Sequence, residues 1–263
     1  MNIIAILCFG LSIISFTAGA QKLPNLQESN FRAPVDVKID GMATEWGNKF
    51  QAYNHATDVL YTIANDDENL YLVIQTNDRN NIFRIFGRGI TWTIQQGDSK
   101  DDKNKISVTY PIIQNGLSLP YEHKKKGEIG DTTSKAADSL MKRSNKAIAD
   151  SCKLIGVNGI PGVDTLISIY SHDGIRARGR FDAMKNYTCE FSIKLKFLKI
   201  PANTVTKLTY RISINGIKEG AIKITPAPNL TSRQEATVER MNQFFNQQAM
   251  PTYLVGEYIL AKK

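Results

Sequence analysis

From Val35 onward, apolar and polar residues alternate in short runs that stop and restart at turn-forming residues. A period of two puts successive side chains on opposite faces of a strand, so each run predicts a half-buried β-strand. Val35, Val37 and Ile39 alternate up to Asp40-Gly41, with Glu45-Trp46 close behind. Residues 58–66 and 69–78 are the next two runs, and the polar residues Asp66 to Asn69 predict a hairpin turn between them. GITWTI (89–94) and KISVTYPII (105–113) follow, joined by the polar loop 97–105. Residues 164–172 run into Asp173-Gly174, a strong hairpin signal, and 174–182 return from it. Met184-Lys185-Asn186 turns the chain into 187–198, and 207–216 supplies a fourth strand, so the whole stretch predicts an antiparallel meander. Residues 252–263 make a closing strand.

Two segments break this rhythm. Residues 114–162 read as an insertion, partly helical, because Ala137, Met141, Ile148, Cys152 and Ile155 keep a helical spacing. Ser232-x-x-Glu235 has the form of a capping box and opens a helix over about 232–246. Strands dominate and no strand–helix–strand repeat appears. The expected fold is therefore all-β: an antiparallel β-sandwich with two helical insertions, spanning residues 35–263.

The ends and the composition add a compartment. Residues 1–20 hold an apolar run followed by Thr17-Ala18-Gly19-Ala20, which predicts a signal peptide cut before Gln21. The run is shorter than the ~20 residues that a membrane span needs. The chain is thus expected to be exported, to the periplasm, the cell surface or the medium, with no transmembrane segment after cleavage. Residues 21–34, with two prolines and no periodicity, read as an irregular lead-in. Beyond them only Cys152 and Cys189 remain, too few for a disulfide scaffold, and Cys189 alternates with apolar neighbours like a buried thiol. The net charge of +8 favours anionic partners. An exported chain without a nucleic-acid-binding motif is not expected to bind nucleic acid.

Val-x-Ile39-Asp40-Gly41, then Glu45-Trp46, then Asp66 to Tyr71 leading into a strand, resembles the family 9 carbohydrate-binding modules. These belong with the DOMON-like sandwiches that bind sugars or haem. Tyr187-x-Cys189-Glu190-Phe191-x-Ile193 resembles a strand in the family's C-terminal half. The resemblance implies a non-catalytic β-sandwich, with Asp40, Gly41 and Trp46 as its structural motif. Family members that bind sugar hold it between two surface tryptophans, and here this chain departs. Trp92 shares a strand face with Ile90 and Ile94 and is expected inside. Trp46 is expected to plug one end of the sandwich, its N–H on a backbone acceptor. Haem would need axial ligands, but His55, His123 and His172 stand singly and no CxxCH occurs, so no cofactor is expected.

For chemistry of other kinds the sequence offers little. Asp98, Asp101 and Asp102 crowd one loop as a calcium site would, but Lys100, Lys103 and Lys105 interleave with them. No nucleophile elbow, phosphate loop or HExxH appears, which leaves carboxylate-based glycan hydrolysis as the remaining enzymatic reading. The strongest candidate is a sheet face. Arg176, Arg178 and Arg180 alternate on one strand, Lys194 and Lys196 on the next, and Lys207 and Arg211 on a third. If those strands are neighbours, seven cations and Glu190 share one surface, flanked by Tyr170 and His172, suited to carboxylate or sulfate. The expected function is a secreted carbohydrate-binding protein, acidic glycans being the ligand class that fits this charge. The alternative is an envelope structural or assembly protein that uses its sandwich to bind another protein.

Overall fold

The computed structural model describes residues 22–96, 105–114, 135–200, 207–218 and 222–262. The expected export segment 1–20 and the carboxylates Asp98, Asp101 and Asp102 lie outside the described residues. Eleven strands form among the described residues, nine of them on the alternating runs and two, the first and sixth, outside them: β1 (Ala52–Asn54), β2 (Val59–Asn65), β3 (Asn69–Thr76), β4 (Ile90–Gln96), β5 (Lys105–Ile112), β6 (Leu154–Asn158), β7 (Leu166–Ser168), β8 (Ile175–Phe181), β9 (Tyr187–Lys194), β10 (Lys207–Ile214) and β11 (Thr252–Ile259). Three helices accompany them: α1 (Arg79–Arg88), α2 (Lys135–Ser151) and α3 (Ser232–Gln247). No described helix is long and apolar enough to cross a membrane.

The strands form two antiparallel sheets, one in the order β1-β2-β3-β9-β8 and the other β11-β10-β4-β5-β6-β7. The protein is an all-β sandwich carrying helical insertions. Its core lies between the inner faces, where Tyr61, Leu72, Ile74, Trp92, Phe191 and Ile212 are buried in one cluster. Trp92 packs edge-on to Phe191 across the gap, with ring centroids 6.2 Å apart. The hydroxyls of Tyr61 and Tyr210 meet at 3.0 Å, one from each sheet.

Several expectations need correction. The expected strand through Val35 is not one: Asp36 has φ 59°, Val35 is exposed, and Val37 and Ile39 pack onto the outside of the five-stranded sheet. The meander over 164–215 is split. β7 and β10 belong to the six-stranded sheet, while β8 and β9 pair with each other in the five-stranded one. Asp173-Gly174 therefore lies in a crossing between sheets, with Gly174 at φ 84°. An Asp-Gly pair fixes a local reversal but not which sheet the returning strand joins. The helix over 79–88 was not anticipated, although Asp78 caps it by accepting from the Asn81 N–H and Ile82, Ile85 and Phe86 bury at helical spacing. The capping box of α3 sits one residue earlier than expected, between Thr231 and Gln234. The helical insertion also ends sooner, at Ser151, and Leu154–Asn158 is strand β6.

The irregular lead-in is part of the body. The Gln27 side chain donates to the Ile63 carbonyl at 2.8 Å and accepts from the Ile63 N–H at 2.7 Å. It completes backbone groups of β2 as a neighbouring strand would.

Candidate functional site

The two outer faces of the sandwich differ, and the difference locates the candidate surfaces. On the five-stranded sheet the outward residues Thr62, Thr188, Glu190 and Ser192 are buried. Ala43, Trp46 and Phe50 from the preceding segment pack there with Tyr71 and Val73. At the centre, Glu190 accepts three hydrogen bonds: Trp46 Nε1 donates to Oε1 at 2.9 Å, and the Gly41 and Asp40 N–H groups donate to Oε2 at 2.9 and 3.0 Å. Burial pushes the Glu190 carboxyl up to about 7 against the pull of these donors. Trp46 thus packs, as expected, edge-on to Tyr71. Its acceptor is a side-chain carboxylate, where a backbone group was expected. Asp40 and Gly41 are structural for the same reason, since their turn delivers two N–H groups to Glu190.

The six-stranded sheet is open. Along β4, Thr91, Thr93 and Gln95 face outward opposite Thr109, Ser107 and Lys105 of β5 and Ser213, Arg211 and Thr209 of β10. All are half-exposed or exposed. Tyr253 and Val255 of β11 border this array, and a groove of about 720 Å³ runs from them past Arg211, Thr93 and Ser107 to Asn158 of β6. Five strands at a spacing of ~4.8 Å give it a length of about 19 Å. The Arg211 guanidinium lies 3.6 Å from the centre of the Tyr253 ring, a diagonal cross-strand contact that fixes both. Arg211 and Lys105 line the groove, and among the described residues no carboxylate does; the nearby Lys207 and Glu257 form their own ion pair at 2.6 Å. Gln95 Nε2 is buried beside it and donates to no described group.

A second, separate pocket of about 410 Å³ opens where the sheets part, between β7, β8 and α2. Arg178 and Arg180 reach it from β8, and Lys142 and Lys146 from α2. Tyr170 stands over Arg178, with 5.3 Å from guanidinium to ring centre.

No protein family, curated protein or solved structure matches the chain.

The expected single basic face is therefore divided in three. Arg178, Arg180 and Tyr170 come together at the edge pocket. Arg211 sits in the groove of the other sheet. Arg176, Lys194, Lys196 and His172 line neither: Lys194 lays its stem on Gly174, and Lys196 belongs to a 3₁₀ turn over Leu195–Leu198 beside Phe197. Glu190, expected on that face, is buried. Tyr253 is not among the sequence candidates, because residues 252–263 predict only a closing strand. Both faces of that run carry apolar residues, Tyr253, Val255 and Ile259 on one and Leu254, Tyr258 and Leu260 on the other, and since a sheet of a two-layer sandwich buries one face, that was the available signal.

Trp92 is fully buried. Cys152 and Cys189 are free and buried, and burial pushes the Cys152 thiol up to about 12, so it stays neutral and unreactive at ordinary pH. Among the described residues no group of three or more His, Cys, Asp or Glu is placed to hold a metal ion. The Asp66 carboxylate caps its own turn, accepting from the Glu68 and Asn69 N–H groups and the Tyr71 hydroxyl.

Proposed function

We propose that this protein is an exported, non-catalytic carbohydrate-binding protein that takes chains with acidic groups in the groove of the six-stranded sheet. One observation carries the reading: an open sheet face combines the Arg211–Tyr253 stack with a row of hydroxyl and amide groups, and none of the described residues lining it is a carboxylate. A sugar ring offers apolar C–H faces and a rim of hydroxyls. Tyr253 serves the first, and Thr93, Ser107, Thr209 and Asn158 serve the second. Arg211 matches a uronate or sulfate substituent. The resemblance of Asp40-Gly41 and Trp46 to family 9 modules supports the same reading.

The test is a glycan array run on the chain at two salt concentrations. Salt-sensitive binding to uronic-acid or sulfated glycans is expected, with Tyr253→Ala weakening it about tenfold, or ~1.4 kcal/mol. Failure of folded protein to bind any glycan would overturn the reading. It would favour an envelope protein that docks a partner through β11, an edge strand on which Tyr253, Val255 and Ile259 are exposed.

A further inference from the structure

We propose that the edge pocket between α2, β7 and β8 is an independent binding site for a compact oxyanion, a sulfate or phosphate group. It is distinct from the groove and does not depend on the groove's ligand. Lys142, Lys146, Arg178 and Arg180 converge on this pocket, and among the described residues one carboxylate, Asp40, lines it. Asp40 already accepts from the Met42 N–H at 2.9 Å. Lys146 pairs with Asp150, whereas Lys142, Arg178 and Arg180 have no ion-pair partner among the described residues. Cations gathered this way repel one another, and an anion among them relieves that repulsion.

The geometry is set in advance. Asn145 of α2 donates from Nδ2 to the Phe181 carbonyl at 2.9 Å and accepts from the Phe181 N–H at 2.8 Å. This bond pair fixes α2 along the edge of β8. Lys142 stands three residues from Asn145 and four from Lys146 on α2, spacings that make each of them its neighbour along the helix surface. Both described hydrogen bonds of Arg178 leave from Nη1, to the Ile169 and Ala177 carbonyls, so the fork is anchored at one nitrogen. Tyr110, Ile148, Cys152 and Ile169 supply low-dielectric wall, which strengthens charge attraction. The neutral Cys152 thiol adds no opposing charge. The pocket is larger than an oxyanion, and the exposed Tyr170 ring at its mouth gives the molecule that carries such a group a surface to stack on.

Calorimetric titration of the full chain with sodium sulfate and sodium phosphate, at an ionic strength held constant with chloride, tests the site. Saturable binding is expected. The double variant Lys142→Ala/Arg180→Ala should weaken it at least tenfold, and Tyr253→Ala should leave it unchanged. Lys142 and Arg180 are exposed, so the double variant should keep the melting temperature of the parent in chloride. A parallel titration with a sulfated monosaccharide names the source. Affinity tenfold tighter than that of inorganic sulfate identifies an ester carried on a ring, and equal or weaker affinity identifies the free ion. Absence of saturation beyond the chloride control, or unchanged affinity in the folded double variant, overturns the proposal.

Discussion

Glu190 shows what one side chain can decide. A carboxylate on a strand that alternates with Cys189, Phe191 and Ile193 reads as solvent-facing, yet it is buried beneath Trp46 and the Asp40-Gly41 turn. Burial raises its folded pKa from 4.5 to about 7. Between those values the folded chain holds a proton that the unfolded chain has released. Its stabilising contribution is thus complete below about pH 4.5 and is lost as the pH rises through 7, at up to ~1.4 kcal/mol per pH unit. Glu190→Gln keeps an oxygen acceptor and nearly the same volume but cannot titrate. Denaturant midpoints of the two proteins should therefore diverge between pH 4.5 and 7, with the parent losing stability relative to the variant. Parallel curves would show that the carboxyl titrates alike folded and unfolded.

At the scale of the element, the Asp40-Gly41 turn ties a strandless segment onto β8. Gly41 has φ 85°, and a Cβ there would stand 2.8 Å from the backbone of Gly179 and Arg180. Gly47 also has positive φ, 61°, but nothing lies within 4 Å of its Cβ position. Gly47→Ala should cost ~1 kcal/mol of left-handed strain, and Gly41→Ala should exceed it by at least that much because β8 must also move. Equal losses in urea unfolding would mean that close approach to β8 is not what the glycine secures. Motif residues of this kind were legible because their chemistry is local. So were nine of the eleven described strands and α3, whose periodicity and cap lie within a few residues, whereas β1 and β6 are too short to show a period. Pairing was not legible: alternation assigns a residue to a face but does not name the neighbouring strand. That is why Arg178 and Arg211, each recognised as a candidate, belong to different surfaces. α1 was overlooked because its ten residues lie between two strong strand signals, although Asp78 and the spacing of Ile82, Ile85 and Phe86 mark it.

For the whole molecule the consequence is asymmetry. One outer face is covered over much of its area by residues 31–50 and carries stability, which leaves the open face and the edge free to bind. The two roles should separate in experiment, because the core beneath both sheets is a single cluster. Trp92 is its largest fully buried side chain, and it reaches Phe191 of the opposite sheet. Trp92→Ala should cost about 3–5 kcal/mol, as the loss of a buried aromatic side chain does. Since no boundary divides the core, near- and far-ultraviolet circular dichroism should still report one coincident unfolding transition. The outward residues of β4 and β10 keep their register from the paired backbone, so glycan affinity of the folded variant should stay within about twofold of the parent. A loss well under 1 kcal/mol would place Trp92 outside the joint between the sheets. Two separate transitions would instead mean that the sheets unfold independently, with the covered face outlasting or preceding the open one.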